Sequence, residues 1–269
     1  MGCLLRRIPP PEESLIWLEQ VGNVPWAQKS KILVRLIQFT ALVETKLQSF
    51  EGSFIDQLSL QQLIEEGDQI DQELQRWTQT LPASWNYEKI LKFDGPWSVE
   101  SGAPREIHIY KGIMASAEWN NYRAIRMHLL ERLLELSEQC PTFITAAPTW
   151  IAALLEIAED ICASVPFTLG KVDMNGKFKN ASAGMALGGY SLILALRMTV
   201  TCLLVPNKCR QWVICKLKYI AETMGIVQAE RIAALGSLCL WIEQSPRRFG
   251  GLRDFNEMVG QAGSPTTLA

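Results

Sequence analysis

Histidine is scarce in this chain: its 269 residues contain two, His108 and His128. Neither belongs to an HExxH pair, and neither sits near a cysteine at zinc-ligand spacing, so no metalloprotease or zinc-finger ligand set is present. The seven cysteines, at 3, 140, 162, 202, 209, 215 and 239, include no CxxC. Gly-x-Ser-x-Gly, the phosphate-cradling GxxxxGK[ST] and a GxGxxG following a strand are missing too. These gaps remove the common nucleophilic, nucleotide-binding and metal-assisted chemistries, and the expectation is a protein that is not an enzyme and needs no cofactor. An excess of positive charge is also lacking. A net charge of −2 argues against a general electrostatic affinity for nucleic acid and leaves room only for a local basic patch.

Long apolar runs are nearly absent as well. The one candidate membrane span, "MALGGYSLILALRMTVTCLLV", carries Arg197 at its middle and Gly188-Gly189 near its start, and reads as a buried helix. The N-terminal Met1-Gly2-Cys3 begins like an acylation signal but places Arg6 where Ser or Thr is needed. No membrane partner is expected. An odd cysteine count without a signal peptide suits a reducing compartment, where most of these thiols act as small hydrophobes.

What is present is helical periodicity. Leu33, Leu36, Thr40, Val43, Leu47 and Phe50 follow spacings of three and four, as do Leu63, Gly67, Ile70, Leu74, Trp77 and Leu81. Ser59 with Gln62 reads as a capping box opening the second of these helices, and Pro82 closes it. Residues 86–104 read as a connector, and a long helix is expected from Glu106 to Ser137. The next begins near Pro148, with Glu156, Glu159 and Asp160 on a solvated face, and stops at Pro166. The polar stretch 172–181 is a loop, followed by helices near 184–205, 207–224 and 227–244. In the 207–224 helix, Cys209, Val213, Leu217, Ile220 and Met224 form one inward stripe, Arg210 flanks it, and Gly225 is a left-handed stop with Ile226 packing behind it. No stretch alternates with period two for long enough to suggest a sheet. The expected fold is all-α: a single irregular helical domain of seven to nine helices over 12–245, after a leader (1–11) and before a flexible tail (246–269).

Candidate functional residues are few. His128 lies on a helical row with Tyr110, Met114, Ala117, Asn121 and Ala124. It reads either as a buried, hydrogen-bonded histidine or, with Tyr110 and Asn121, as the polar lining of an apolar pocket for a small hydrophobic effector.

Several stretches together resemble the C-terminal regulatory domain of fungal zinc-cluster transcription factors. They are "LQRWTQTLPASWNY", "AEWNNYRAIRMHLLERLL" with Trp119, Asn120, Tyr122, Arg123 and Arg126, then "EDICASVPFTLG", "GGYSLILAL" and "RQWVICKLKYIAETMGIVQA". The resemblance implies a nuclear, all-helical module for transcriptional regulation. Such a module senses signals, contacts protein partners of the transcription machinery or a second copy of itself, and restrains activation. The family's DNA-binding cluster of two zincs and six cysteines has no counterpart among these residues. Neither zinc nor direct DNA contact is therefore expected of them, and the chain reads as a truncated gene model, a fragment, or a regulator without its own DNA reader.

Overall fold

A computed structural model describes residues 2–20, 25–49, 57–91, 95–140, 143, 145–179 and 186–243. The expected tail at 246–269 and the stripe's Phe50 lie outside the described residues. Among the described residues there are nine α-helices and one antiparallel pair of short strands, so the all-α expectation holds. No helix among them is long and apolar enough to cross a membrane. The contacts within the expected single domain sort into two compact units. One comprises Met1–Pro82 and Ile125–Leu154; the other comprises Ala83–Ala124 and Leu155–Ala269.

The first unit begins with α1 (Gly2–Arg6), inside the stretch expected as a leader, and α2 (Glu12–Gln20). Both pack on α3 (Pro25–Ser49), which in turn packs on α4 (Gln57–Gln79). The α4 stripe is buried throughout, from Leu63 to Leu81. A Cβ on Gly67 would lie 2.6 Å from Leu133 and 3.0 Å from Phe39, so this position admits only glycine without repacking. Ser59 is not the N-cap: Gln57 and Leu58 are already helical, which puts it inside the first turn. Buried Asp71 accepts a two-pronged bond from Arg126, at 2.7 Å to Nε and 3.1 Å to Nη2. That geometry matches the planar guanidinium to the carboxylate. At the outer edges of α3, Glu44 pairs with Arg7 and Glu73 with Arg35, each at 2.7 Å.

The second unit corrects two expectations. Residues 106–110 do not start a helix: β2 (Ile107–Tyr110) pairs antiparallel with β1 (Tyr87–Ile90), and α5 (Ile113–Ser137) begins only afterwards. The local sequence Glu106-Ile107-His108-Ile109-Tyr110 alternates apolar and polar, and β-branched residues favour the extended form once a partner strand is available. That partner comes from the segment read as a connector. Its Trp97 is buried in a short 3-10 turn, edge-on to Tyr219 at 5.3 Å, with the Lys216 ammonium 3.9 Å from its ring centre. Lys216, itself buried, also pairs with Glu100. A cation over an indole face is strongest where water is excluded, so the stretch is fastened down.

Helix α6 (Ala147–Thr168) contains Pro166 rather than ending at it. Proline removes one rung of the ladder, but the amide of Leu169 still donates to Val165 O at 2.9 Å and the turn continues. In α7 (Ala186–Thr201), Gly188 lets the backbone approach Thr168, whose carbonyl oxygen would lie 2.0 Å from an added Cβ. Helices α8 (Asn207–Met224) and α9 (Val227–Glu243) pack on each other and on α7. As the spacing predicts, Val213, Leu217 and Ile220 are buried, and Gly225 adopts φ 68° with its amide donating to Ala221 O at 3.0 Å. Ile226 is buried behind it. Arg210 does more than flank this stripe. It is fully buried and joins Asn207 to Glu243 at the end of α9.

Candidate functional site: a buried charge network on the strand pair

The period of two in β1 and β2 puts Tyr87 and Lys89 on the same face as His108 and Tyr110, because Tyr87 opposes Tyr110 and Lys89 opposes His108. Glu106, two residues before His108, extends the row. From α5, Trp119, Asn120 and Arg123 reach this face, and from α6 come Asp160 and Ser164. The Ser116, Asn120, Arg123 spacing of four and three lines up one helical row.

Arg123 is the centre. It is 1% exposed and donates from Nη1 to the Tyr110 hydroxyl at 2.6 Å and to Asn120 Oδ1 at 3.4 Å. Its Nη2 donates to His108 Nδ1 at 3.1 Å and lies 3.5 Å from Asp160. Its guanidinium carbon sits 5.0 Å from the Tyr87 ring centre and 5.6 Å from that of Trp119. The Trp119 indole N–H is held in turn by Trp85 O at 2.8 Å. Asn120 continues the network: Ser164 donates to its Oδ1 at 2.8 Å, and its amide reaches Ser116, which touches Thr168.

A guanidinium can only donate, so His108 Nδ1 must accept and its proton sits on Nε2. That Nε2–H faces Glu106 at 3.3 Å and Asp160 at 3.5 Å. Burial, then the Arg123 and Lys89 charges, hold the imidazole neutral, with its pKa pushed down to about 2. Burial raises the Tyr110 phenol to about 12. Lys89 pairs with Glu106 at 2.8 Å and Asp160 at 3.5 Å, and the Glu106 hydrogen bond in particular holds it well above the ordinary ammonium range. Two carboxylates thus meet two cations.

The ligand atoms of Glu106, His108 and Asp160 lie within 4.8 Å of one another, close enough to suggest a metal centre. The donor chemistry opposes it. A cation needs the lone pair of Nε2, which would move the ring proton to Nδ1 and point it at the Arg123 N–H groups. Lys89 and Arg123 already neutralise both carboxylates.

Of the expected pocket residues, Tyr110 and Asn121 belong to the second unit and His128 to the first. Tyr110 is fully buried with its hydroxyl engaged by Arg123 and His108. Asn121 is half-buried, and Met114 on its supposed row is exposed; Asn120, one position earlier, is the buried amide that joins the network. Asp160 is likewise not a solvated residue, whereas Glu156 and Glu159 are exposed as expected. The signals that point to the network are the alternation across 106–110 and the polar row through Ser116, Asn120 and Arg123. No family model, curated protein or solved structure matches the chain.

Proposed function

We propose that the chain is the regulatory and interaction domain of a fungal zinc-cluster-type transcription factor, acting in the nucleus through protein contacts rather than catalysis. The observation that carries this reading is how its motif residues are used. Asn120 and Arg123 of "AEWNNYRAIRMHLLERLL", and Arg210, Trp212 and Val213 of the last stretch, are buried in one compact unit, where Asn120, Arg123 and Arg210 bond to other residues of that unit and half-buried Trp119 donates to Trp85 O. Residues spent on packing and internal charge neutralisation suit a module that presents a surface, not a reaction centre. The resemblance supplies the partner class: proteins of the transcription machinery, or a second copy of the chain.

The test is to fuse the full chain to a heterologous DNA-binding domain and measure reporter output in fungal cells. A severalfold change relative to the DNA-binding domain alone is expected, with no retention of promoter DNA by the isolated chain in gel-shift assays. Output equal to the DNA-binding domain alone, from a fusion shown by circular dichroism to be helical, refutes the reading.

A further inference from the structure

Cys162 on α6 and Cys209 in the first turn of α8 place their sulfurs 3.5 Å apart, although 47 residues separate them in sequence. The two thiols differ in setting. Cys162 is buried, whereas Cys209 keeps partial exposure. A hydrogen bond joins the two thiols, and it lowers the Cys209 pKa while raising that of Cys162, which casts Cys162 as the donor. The negative charge belongs on Cys209 for a further reason: it lies in the first turn of α8, where backbone amides favour an anion. Pro166, four residues beyond Cys162, takes one hydrogen-bond rung from the turn that carries this cysteine. The backbone there can yield as the sulfurs close to the bonding distance of about 2.05 Å.

We infer that Cys162 and Cys209 form a reversible dithiol–disulfide pair, with Cys209 as the attacking thiol and Cys162 as the resolving one, oxidised by small disulfides such as glutathione disulfide. The Cys209 thiolate attacks one sulfur of the small disulfide. A Cys209–glutathione bond forms, the glutathione S–S bond breaks, and one glutathione thiolate leaves with the electron pair and takes up a proton. Cys162 then attacks Cys209 Sγ. The intramolecular disulfide forms, the second glutathione leaves, and the Cys162 proton ends on its thiol. Two protein thiols lose two electrons in all, and one glutathione disulfide becomes two thiols.

The pair is placed where it matters to the buried network. Cys162 lies between Asp160 and Ser164, both members of that network, and Cys209 precedes the buried Arg210. A covalent tie here couples the α6 face of the network to the start of α8, and the oxidised chain melts at a higher temperature than the reduced one.

The test uses the full reduced chain, equilibrated in glutathione buffers of increasing disulfide fraction, quenched in acid, alkylated in denaturant and mapped by mass spectrometry. Cys162 and Cys209 are expected to lose alkylation in parallel and to appear in one cross-linked peptide. In Cys162→Ala, a glutathione adduct on Cys209 persists; in Cys209→Ala, Cys162 stays reduced. The wild-type cross-link decides the matter even if a variant misfolds. Adducts confined to exposed Cys215, with Cys162 and Cys209 both still reduced in the most oxidising buffer, overturn the inference, as does a cross-link from either cysteine to a different partner.

Discussion

Replacing Arg123 by leucine tests whether the charge network holds the second unit together. The substitution keeps an apolar stem but deletes donors to Tyr110, His108 and Asn120 and the ion pair to Asp160. Removing one partner of a buried ion pair costs about 3–5 kcal/mol. Asp160 retains Lys89 at 3.5 Å and is 20% exposed, so the lower end applies, about 3 kcal/mol. At about 2–4 °C per kcal/mol for a unit of this size, the melting temperature falls by about 6–12 °C. Urea denaturation followed by far-UV circular dichroism measures the difference at pH 7.5. His108 supplies a second readout. Its folded pKa lies near 2, below the unfolded value of about 6.5, so across that interval the unfolded chain holds a proton that the folded chain does not. Stability from this group is complete above pH 6.5 and falls as the pH drops toward 2, at up to about 1.4 kcal/mol per pH unit. Loss of the Arg123 charge raises the His108 pKa without restoring it fully, because burial is the larger cause. The destabilisation by Arg123→Leu therefore shrinks on acidification from pH 6 to pH 4. A variant within about 1 kcal/mol of wild type at pH 7.5, or a wild-type His108 that titrates near 6.5 by NMR, refutes the reasoning.

Three further outcomes follow from the packing. Gly188→Ala puts a methyl group 2.0 Å from the Thr168 carbonyl oxygen and costs about 2–3 kcal/mol by denaturation, whereas Gly112→Ala, with open space around its Cβ, stays within about 0.5 kcal/mol. Asp71→Leu removes the carboxylate that accepts both Arg126 bonds and costs about 3 kcal/mol; the double variant Asp71→Leu, Arg126→Leu regains part of that, read as a coupling energy in a double-mutant cycle. Trp97→Ala removes the ring beneath Lys216 and about 3 kcal/mol of stability, and it exposes 95–104 to limited proteolysis, which the wild type resists.

Sequence periodicity alone was enough for the local architecture. The α4 stripe, the α8 stripe and the Gly225 stop depend on neighbours three and four residues away and on one glycine's freedom at positive φ, all of which are written in consecutive residues. The errors fell where a distant partner outweighs local preference. Residues 107–110 are extended because 87–90 pairs with them, Pro166 stays helical because the turn beyond it remains bonded and packed, and Asp160 is internal because Arg123 and Lys89 come to it. The amide that matters is Asn120 rather than Asn121, a difference of about 100° around the helix that depends on which face meets α6.

Cys162 and Cys209 make the same point more sharply. Their 47-residue separation gave no sign of a pair in the sequence. The sequence by itself determined the helices, their inward faces and their stops, because hydrophobic periodicity and backbone freedom act over a turn or two. Only the tertiary structure decided which charges meet, which imidazole nitrogen carries the proton and which sulfurs touch, because contacts between distant residues depend on how the helices pack.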